Sequence, residues 1–350
     1  MAASAPPCVG QLHSVLAALP SALVAELFHR SRRMPPVSKT NPTANNPAPA
    51  LLRGQVVSTH GRHYLVEISG GEILTCFPRG KRSLAACGDL VQVIRTAARQ
   101  GVIEAVDPRR ALLFRSDRHR QKLIAANVTQ MVIVLAVVPS FYEELLNRCL
   151  AAAAHQGIPA LVVLNKFDLT TGSAPALASL QPYAELGYTV LPLVAKDDVS
   201  PLRAYLEGHL SLLVGQSGMG KSTILNGLVP GAAATVGDIS VALDSGRHTT
   251  THASLHRFNA RSALIDSPGM QEFGLMHLTQ RELADAFHEF RPYLAACRFN
   301  DCRHTGEPDC AIARAASDGN INPRRLAAYR RIVADLSRSK TFKPRPSGRA

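Results

Sequence analysis

The chain has 350 residues, 46% of them hydrophobic, and a formal charge of +13. That length allows two or three domains with separate cores. The longest apolar run, MVIVLAVV at 131–138, is too short to cross a bilayer, and the charge favours a polyanionic partner such as nucleic acid or an anionic surface.

The basic residues are concentrated rather than spread. Between Arg53 and Lys122 thirteen Lys/Arg face six Asp/Glu, and the tail SRSKTFKPRPSGRA holds five basic residues and no acid, which argues for binding surfaces rather than general solubility. Seven cysteines, four of them scattered at Cys8, Cys76, Cys87 and Cys149, do not form a secreted disulfide framework, so a reducing cytoplasm is expected. The early apolar segment VLAALPSALVAELF precedes the first Lys or Arg, Arg30, and so lacks the basic start of a signal peptide.

Residues 1–50 read as an extension ending in a Pro/Asn-rich linker, PPVSKTNPTANNPAPA, with too much Pro and Asn for regular structure. From 51 to 112, alternating segments separated by His60-Gly61 and Gly70-Gly71 predict about five short strands. Five strands in some sixty residues rich in basic side chains predict an OB-like β-barrel of the kind that binds oligonucleotides. From 113 to 278 strand and helix patterns alternate, predicting a doubly wound α/β domain with a mainly parallel sheet. Beyond Leu278, residues 279–350 show helical patterns, a cysteine cluster and the basic tail.

Two motifs stand in an unusual order. GQSGMGKST, residues 215–223, follows a predicted strand and opens a helix, as a phosphate-binding loop requires. Gly215, Gln216, Ser217, Gly218, Met219 and Gly220 would turn backbone N–H groups toward phosphates, Lys221 would reach the β and γ phosphates, Ser222 would ligate magnesium, and Thr223 continues the loop. Some fifty residues earlier stands Asn165-Lys166-Phe167-Asp168. The Asp168 carboxylate can accept both N1–H and N2–H₂ of guanine, a pair of donors that adenine lacks. Asn165 would hold neighbouring loops, the stem of Lys166 would cover the ring, and LVAKDD at 193–198 would bring the Ala195 N–H to guanine O6.

IDSPG at 265–269 places Asp266 near magnesium through water and the Gly269 N–H on the γ-phosphate. SGRHTTTH at 245–252 falls where a first switch loop belongs, with Thr250 favoured among three threonines as a magnesium ligand. In an ordinary G protein the phosphate loop comes first. The order here, base, base, phosphate, switch, switch, predicts a circularly permuted GTPase that binds GTP and GDP with Mg²⁺.

Cys297-x4-Cys302-x-His304-x5-Cys310 offers three thiolates and one imidazole, the donors of a closed tetrahedral zinc site with a structural role. Reduced cysteines packed in a helical core are the alternative, but the intervening RFND and TGEPD are too polar for one. His277 and His288 read as ordinary side chains.

The motifs NKFDL, GQSGMGKST, GRHTTTH, DSPGMQEFGL and CRFNDCRHTGEPDC, in this order and behind an OB-like segment, resemble the bacterial ribosome small-subunit-dependent GTPase A family over about Leu51 to Leu336. The resemblance implies a GTPase acting late in assembly of the 30S subunit, stimulated by that subunit and bound to it and its 16S rRNA through all three domains; a monomer free of membranes is expected. Two positions depart from expectation: Val194 stands where the base loop commonly has Ser or Thr, and Met270 follows Asp-x-x-Gly where a Ras-like enzyme has a water-orienting glutamine. The resemblance offers His248 in the first switch as the catalytic group that positions water. A nucleotide-gated RNA-binding module with incidental hydrolysis is the competing reading that Met270 leaves open.

Overall fold

The computed structural model describes residues 50–80, 85–116, 121–232, 253–267 and 275–340, all within one compact unit of the chain. The extension up to residue 49, the switch residues His248, Thr250, Gly269 and Met270, and the tail from 341 lie outside the described residues. Among those described, no helix is long and apolar enough to cross a membrane.

Five strands form the amino-terminal barrel: β1 (Leu51–His60), β2 (His63–Ile68), β3 (Ile73–Pro78), β4 (Leu90–Ala97) and β5 (Gln100–Val106). They run in the order β1-β2-β3-β5-β4, and β4 pairs back onto β1 from Leu51↔Ile94 to Gln55↔Leu90, closing the barrel. Closure leaves no open edge between these strands. Their alternation has the expected cause: Val56, Val66, Leu74, Cys76, Val91 and Val93 point inward and are fully buried.

A hairpin that the sequence reading did not separate follows, β6 (Leu112–Ser116) and β7 (Gln121–Ala126), paired antiparallel as a sheet of its own. The polar stretch RSDRHRQK carries none of the Gly or Asn turn residues that announce a hairpin. The hairpin is fastened to the barrel, Ala126 N–H donating to Cys87 O at 2.8 Å and Asn127 Nδ2 to Gly88 O at 3.1 Å.

The α/β region contains β8 (Gln130–Ala136), α1 (Glu143–His155), β9 (Ala160–Asn165), α2 (Thr170–Glu185), β10 (Thr189–Pro192), α3 (Ser200–Leu206), β11 (Leu210–Val214), α4 (Lys221–Leu228), β12 (Ser254–Arg257) and β13 (Ala263–Asp266). The strand order is β10-β9-β8-β11-β13-β12, parallel except for β12. All seven residues of β8 are buried, as a central strand covered on both faces demands. Counting from β11 as first strand, the sheet reads 6-5-4-1-3-2. The strand order therefore reverses beside β11, at the switch point where ligands bind in open α/β sheets.

The sheet does not stop at β12. Ser58 of β1 pairs with Ser254, Arg257 donates to Glu67 and Gln55, and the barrel continues the α/β sheet to eleven strands.

The carboxy-terminal region holds α5 (Gln280–Ala286), a 3-10 helix (His288–Ala296), α6 (Ala311–Ser317) and α7 (Pro323–Lys340). A capping box between Thr279 and Glu282 starts α5, satisfying two N–H groups that a helix start leaves without partners. One apolar cluster runs from Ile133 and Leu146 through Leu283, Phe287 and Phe290 to Tyr329 and Ile332, so this region shares its core with the α/β sheet.

Candidate functional site

The phosphate loop follows β11 and ends at the first turn of α4. Gly220 caps that helix at φ +95°, and a Cβ there would lie 2.1 Å from Asn165 Nδ2; Gly215 would meet Val134 O at 2.3 Å. Only glycine lets the loop pass this close to its neighbours. Lys221 curls over the loop, its Nζ donating to Gly215 O at 2.8 Å and Gln216 O at 2.7 Å. Gln216 Oε1 accepts from Tyr142 N–H at 2.9 Å. Ser217, Gly218, Ser222 and Thr223 are exposed, whereas Met219 is buried in the core beneath the loop.

Asn165 at the end of β9 joins three segments that are far apart in the chain. Its Nδ2 donates to Met219 O at 2.9 Å in the phosphate loop, and its Oδ1 accepts from Ala195 N–H at 3.0 Å in the loop after β10. The N–H expected on guanine O6 thus already has a partner in Asn165. Val194 O accepts from the N–H groups of Asp197 and Asp198, so backbone bonds close the turn without the hydroxyl that Ser or Thr would bring.

These segments enclose a cavity of about 240 Å³, lined by Asn165, Lys166, Asp168, Leu169, Val194, Ala195, Lys196, Gly220 and Thr223. Lys166, at φ +58°, sends its Nζ to Val138 O at 2.7 Å. Lys196 had no assigned role in the sequence reading, yet its Nζ lies 2.8 Å from Asp168 Oδ2. That hydrogen bond holds the Asp168 carboxyl below the usual range and raises the Lys196 ammonium.

Asp266 ends β13 beside the phosphate loop. Burial pushes its carboxyl up against the opposing pull of Lys221, while burial pushes Lys221 down. Its Oδ1 is buried with no hydrogen-bond partner among the described residues, which fits a carboxylate that faces magnesium through water. Of the two magnesium ligands expected from the sequence, Ser222 lies at the start of α4 and Thr250 is outside the described residues, as is Gly269, expected on the γ-phosphate.

The cysteine motif also closes in space. The ligand atoms of Cys297, Cys302, His304 and Cys310 lie within 4.8 Å of one another. His304 Nδ1 stands 3.6 Å from Cys297 Sγ and 3.5 Å from Cys310 Sγ. A tetrahedral zinc with sulfur at about 2.3 Å and nitrogen at about 2.0–2.1 Å has sulfur–nitrogen edges of about 3.5–3.6 Å, so the four residues can hold the ion. Glu307, unmarked by any spacing rule, braces the loop. Burial acts to raise its carboxyl, but backbone N–H groups from Arg303, Thr305 and Gly306 prevail and hold it down to about 2. His277 packs on Phe114 and His288 on Tyr188, outside the ligand cluster.

Beside this region Arg325, 2% exposed, bonds Glu289 Oε1 at 2.6 Å, reaches Asn147 Oδ1 and lies over the Phe287 ring at 4.3 Å. Asn147 also donates to Tyr183 Oη, which donates to Glu143. A polar network therefore ties α7 to α1 and α2.

A permuted P-loop sheet with a base-side cavity, an OB-like barrel on one edge and a Cys₃His cluster packed against it define a circularly permuted GTPase of three parts. The family model described as RsgA GTPase matches residues 106–276. The small ribosomal subunit biogenesis GTPase RsgA of Nitrosospira multiformis is 56% identical over 286 residues, 82% of this chain and 91% of that protein. Its counterpart in Burkholderia pseudomallei is 50% identical over 311 residues, covering 87% and 98%. Among solved structures, YjeQ from Thermotoga maritima superposes with a TM-score of 0.64 at 29% identity, over 84% of this chain and all of that one. YloQ, described as a circularly permuted GTPase, shares the fold at 24% identity with a TM-score of 0.61, over 86% and 99%. The chain belongs to the RsgA family of small ribosomal subunit biogenesis GTPases.

Proposed function

We propose that this chain binds the 30S subunit through its 16S rRNA and assists late maturation, hydrolysing GTP to GDP and phosphate with stimulation by the subunit. The observation that carries the reading is the Asn165 amide, which joins the phosphate loop to the third base loop and so makes one site of motifs that a permuted chain order separates.

In that site Asp168 accepts N1–H and N2–H₂ of guanine, the Lys166 stem covers the ring, and the Ala195 N–H is shared between Asn165 and guanine O6 as a three-centre bond. Residues Gly215 to Thr223 cradle the phosphates at the start of α4. Ser222 and Thr250 ligate Mg²⁺, with Asp266 behind a water and the Gly269 N–H on the γ-phosphate. With Met270 unable to orient water, His248 takes that role. One Zn²⁺ per chain, held by Cys297, Cys302, His304 and Cys310, is structural. The working units are an extension at 1–50, the barrel at 51–112, the GTPase domain at 113–278 and the zinc-bearing region at 279–350, in a monomeric cytoplasmic protein.

GTP turnover titrated with purified 30S and 50S subunits tests this. Tens-fold stimulation by 30S alone is expected, and His248→Ala lowers stimulated turnover about tenfold to a thousandfold with little change in GTP affinity. Equal turnover with and without 30S would overturn the reading in favour of an RNA-binding module with incidental hydrolysis.

A further inference from the structure

Two lysines line the base-side cavity, and they are placed differently. Lys166 is tied to the backbone at Val138 O, whereas Lys196 places its ammonium on Asp168 Oδ2. A guanine edge needs that carboxylate as a double acceptor. Charge-assisted bonds draw their strength from undivided negative charge, and the N–H donors of the base carry partial charge of the same sign as the ammonium. The base and Lys196 therefore compete for Asp168.

We propose that Lys196 is an internal competitor for the guanine edge: its ammonium yields the Asp168 carboxylate to an arriving base and reclaims it as the nucleotide leaves, lowering guanine-nucleotide affinity and favouring release of GDP. This rests on the guanine assignment of Asp168. Lys196 is 64% and Asp168 28% exposed, so the pair is screened by salt and the competition is modest. An adenine base, which lacks the two donors, has no means of displacing the ammonium. Lys196 thus acts on the guanine complex, and its removal sharpens the preference for guanine.

Lys196→Met tests the idea because it keeps an unbranched stem and removes the charge. Titration of GDP and ADP into the full chain is expected to give about two- to fivefold tighter GDP binding in Lys196→Met, with unchanged ADP binding, wild-type behaviour in Lys196→Arg and a gain that shrinks as salt is added. Any general attraction between the Lys196 charge and an anionic nucleotide would act in the opposite direction. Its contribution is read separately in an Asp168→Asn background titrated with xanthosine diphosphate, where Lys196→Met is expected to bring no gain. Equal or weaker GDP binding by Lys196→Met at low salt, or the same gain in the Asp168→Asn background, would overturn the proposal. Failure of the guanine assignment looks different: the wild-type chain would bind ADP as well as GDP.

Discussion

At the residue scale the site depends on side chains that hold other groups in place. Removing the Asn165 amide leaves Met219 O and the Ala195 N–H without their partner, and an unsatisfied buried group costs about 1–3 kcal/mol. Asn165→Ala is expected to weaken GDP binding at least about tenfold, because the two loops lose their common anchor; calorimetric titration reads it. Asp266 gives a pH dependence of determined sign. Its folded pKa is raised by burial, so the penalty for its charge is fully present above that raised value and disappears below the ordinary Asp value of about 3.9. Asp266→Asn should therefore stabilise the nucleotide-free protein by about 1 kcal/mol at neutral pH. The gain should fade as the pH falls through the raised pKa, while magnesium-dependent nucleotide binding drops. Denaturant melts across pH with nucleotide titrations check both.

At the scale of elements, α7 is held by chemistry on α1 and the 3-10 helix. Arg325→Met strands Glu289, itself 6% exposed in its side chain, and breaking one partner of a buried pair costs about 3–5 kcal/mol. Urea unfolding should show that loss, and Arg325→Met with Glu289→Gln should recover part of it. The same anchoring limits what loss of the proposed zinc would do. Metal binding contributes folding energy to its loop, but α7 keeps its core contacts through Tyr329 and Ile332 and its ion pair through Arg325. Cys302→Ser or chelation should abolish bound zinc and raise hydrogen exchange over 297–310, while α7 stays protected and GDP binding persists.

For the whole molecule, the barrel, the α/β sheet and the carboxy-terminal helices form one connected body. The basic barrel segment and tail lead to the expectation that 30S binding weakens with salt, since each phosphate neutralised by Lys or Arg releases counterions. Affinity for 30S should be at least about tenfold higher with a non-hydrolysable GTP analogue than with GDP, a coupling of about 1.4 kcal/mol. Pelleting through sucrose with each nucleotide at two salt concentrations measures both effects; equal pelleting with the two nucleotides would show that the subunit does not sense the γ-phosphate.

Much of this was legible in the order of residues. A phosphate loop, an Asn-Lys-x-Asp and a Cys₃His run are local patterns recognisable by their spacing along a few turns of chain, and their sequence order alone revealed the permutation. Tertiary structure decided what spacing does not encode. The Asn165 clamp joins positions 30 and 54 residues away, Arg325 reaches back 178 residues to Asn147, and Ser58 meets Ser254 across 196. Such partners are chosen by how the sheet brings loops together, and neither a hydrophobic period nor a motif records it. Lys196 shows the limit most directly: it was visible in the sequence next to Ala195, but its hold on Asp168 exists only because two parallel strands, β9 and β10, end side by side and face their loops into the same cavity.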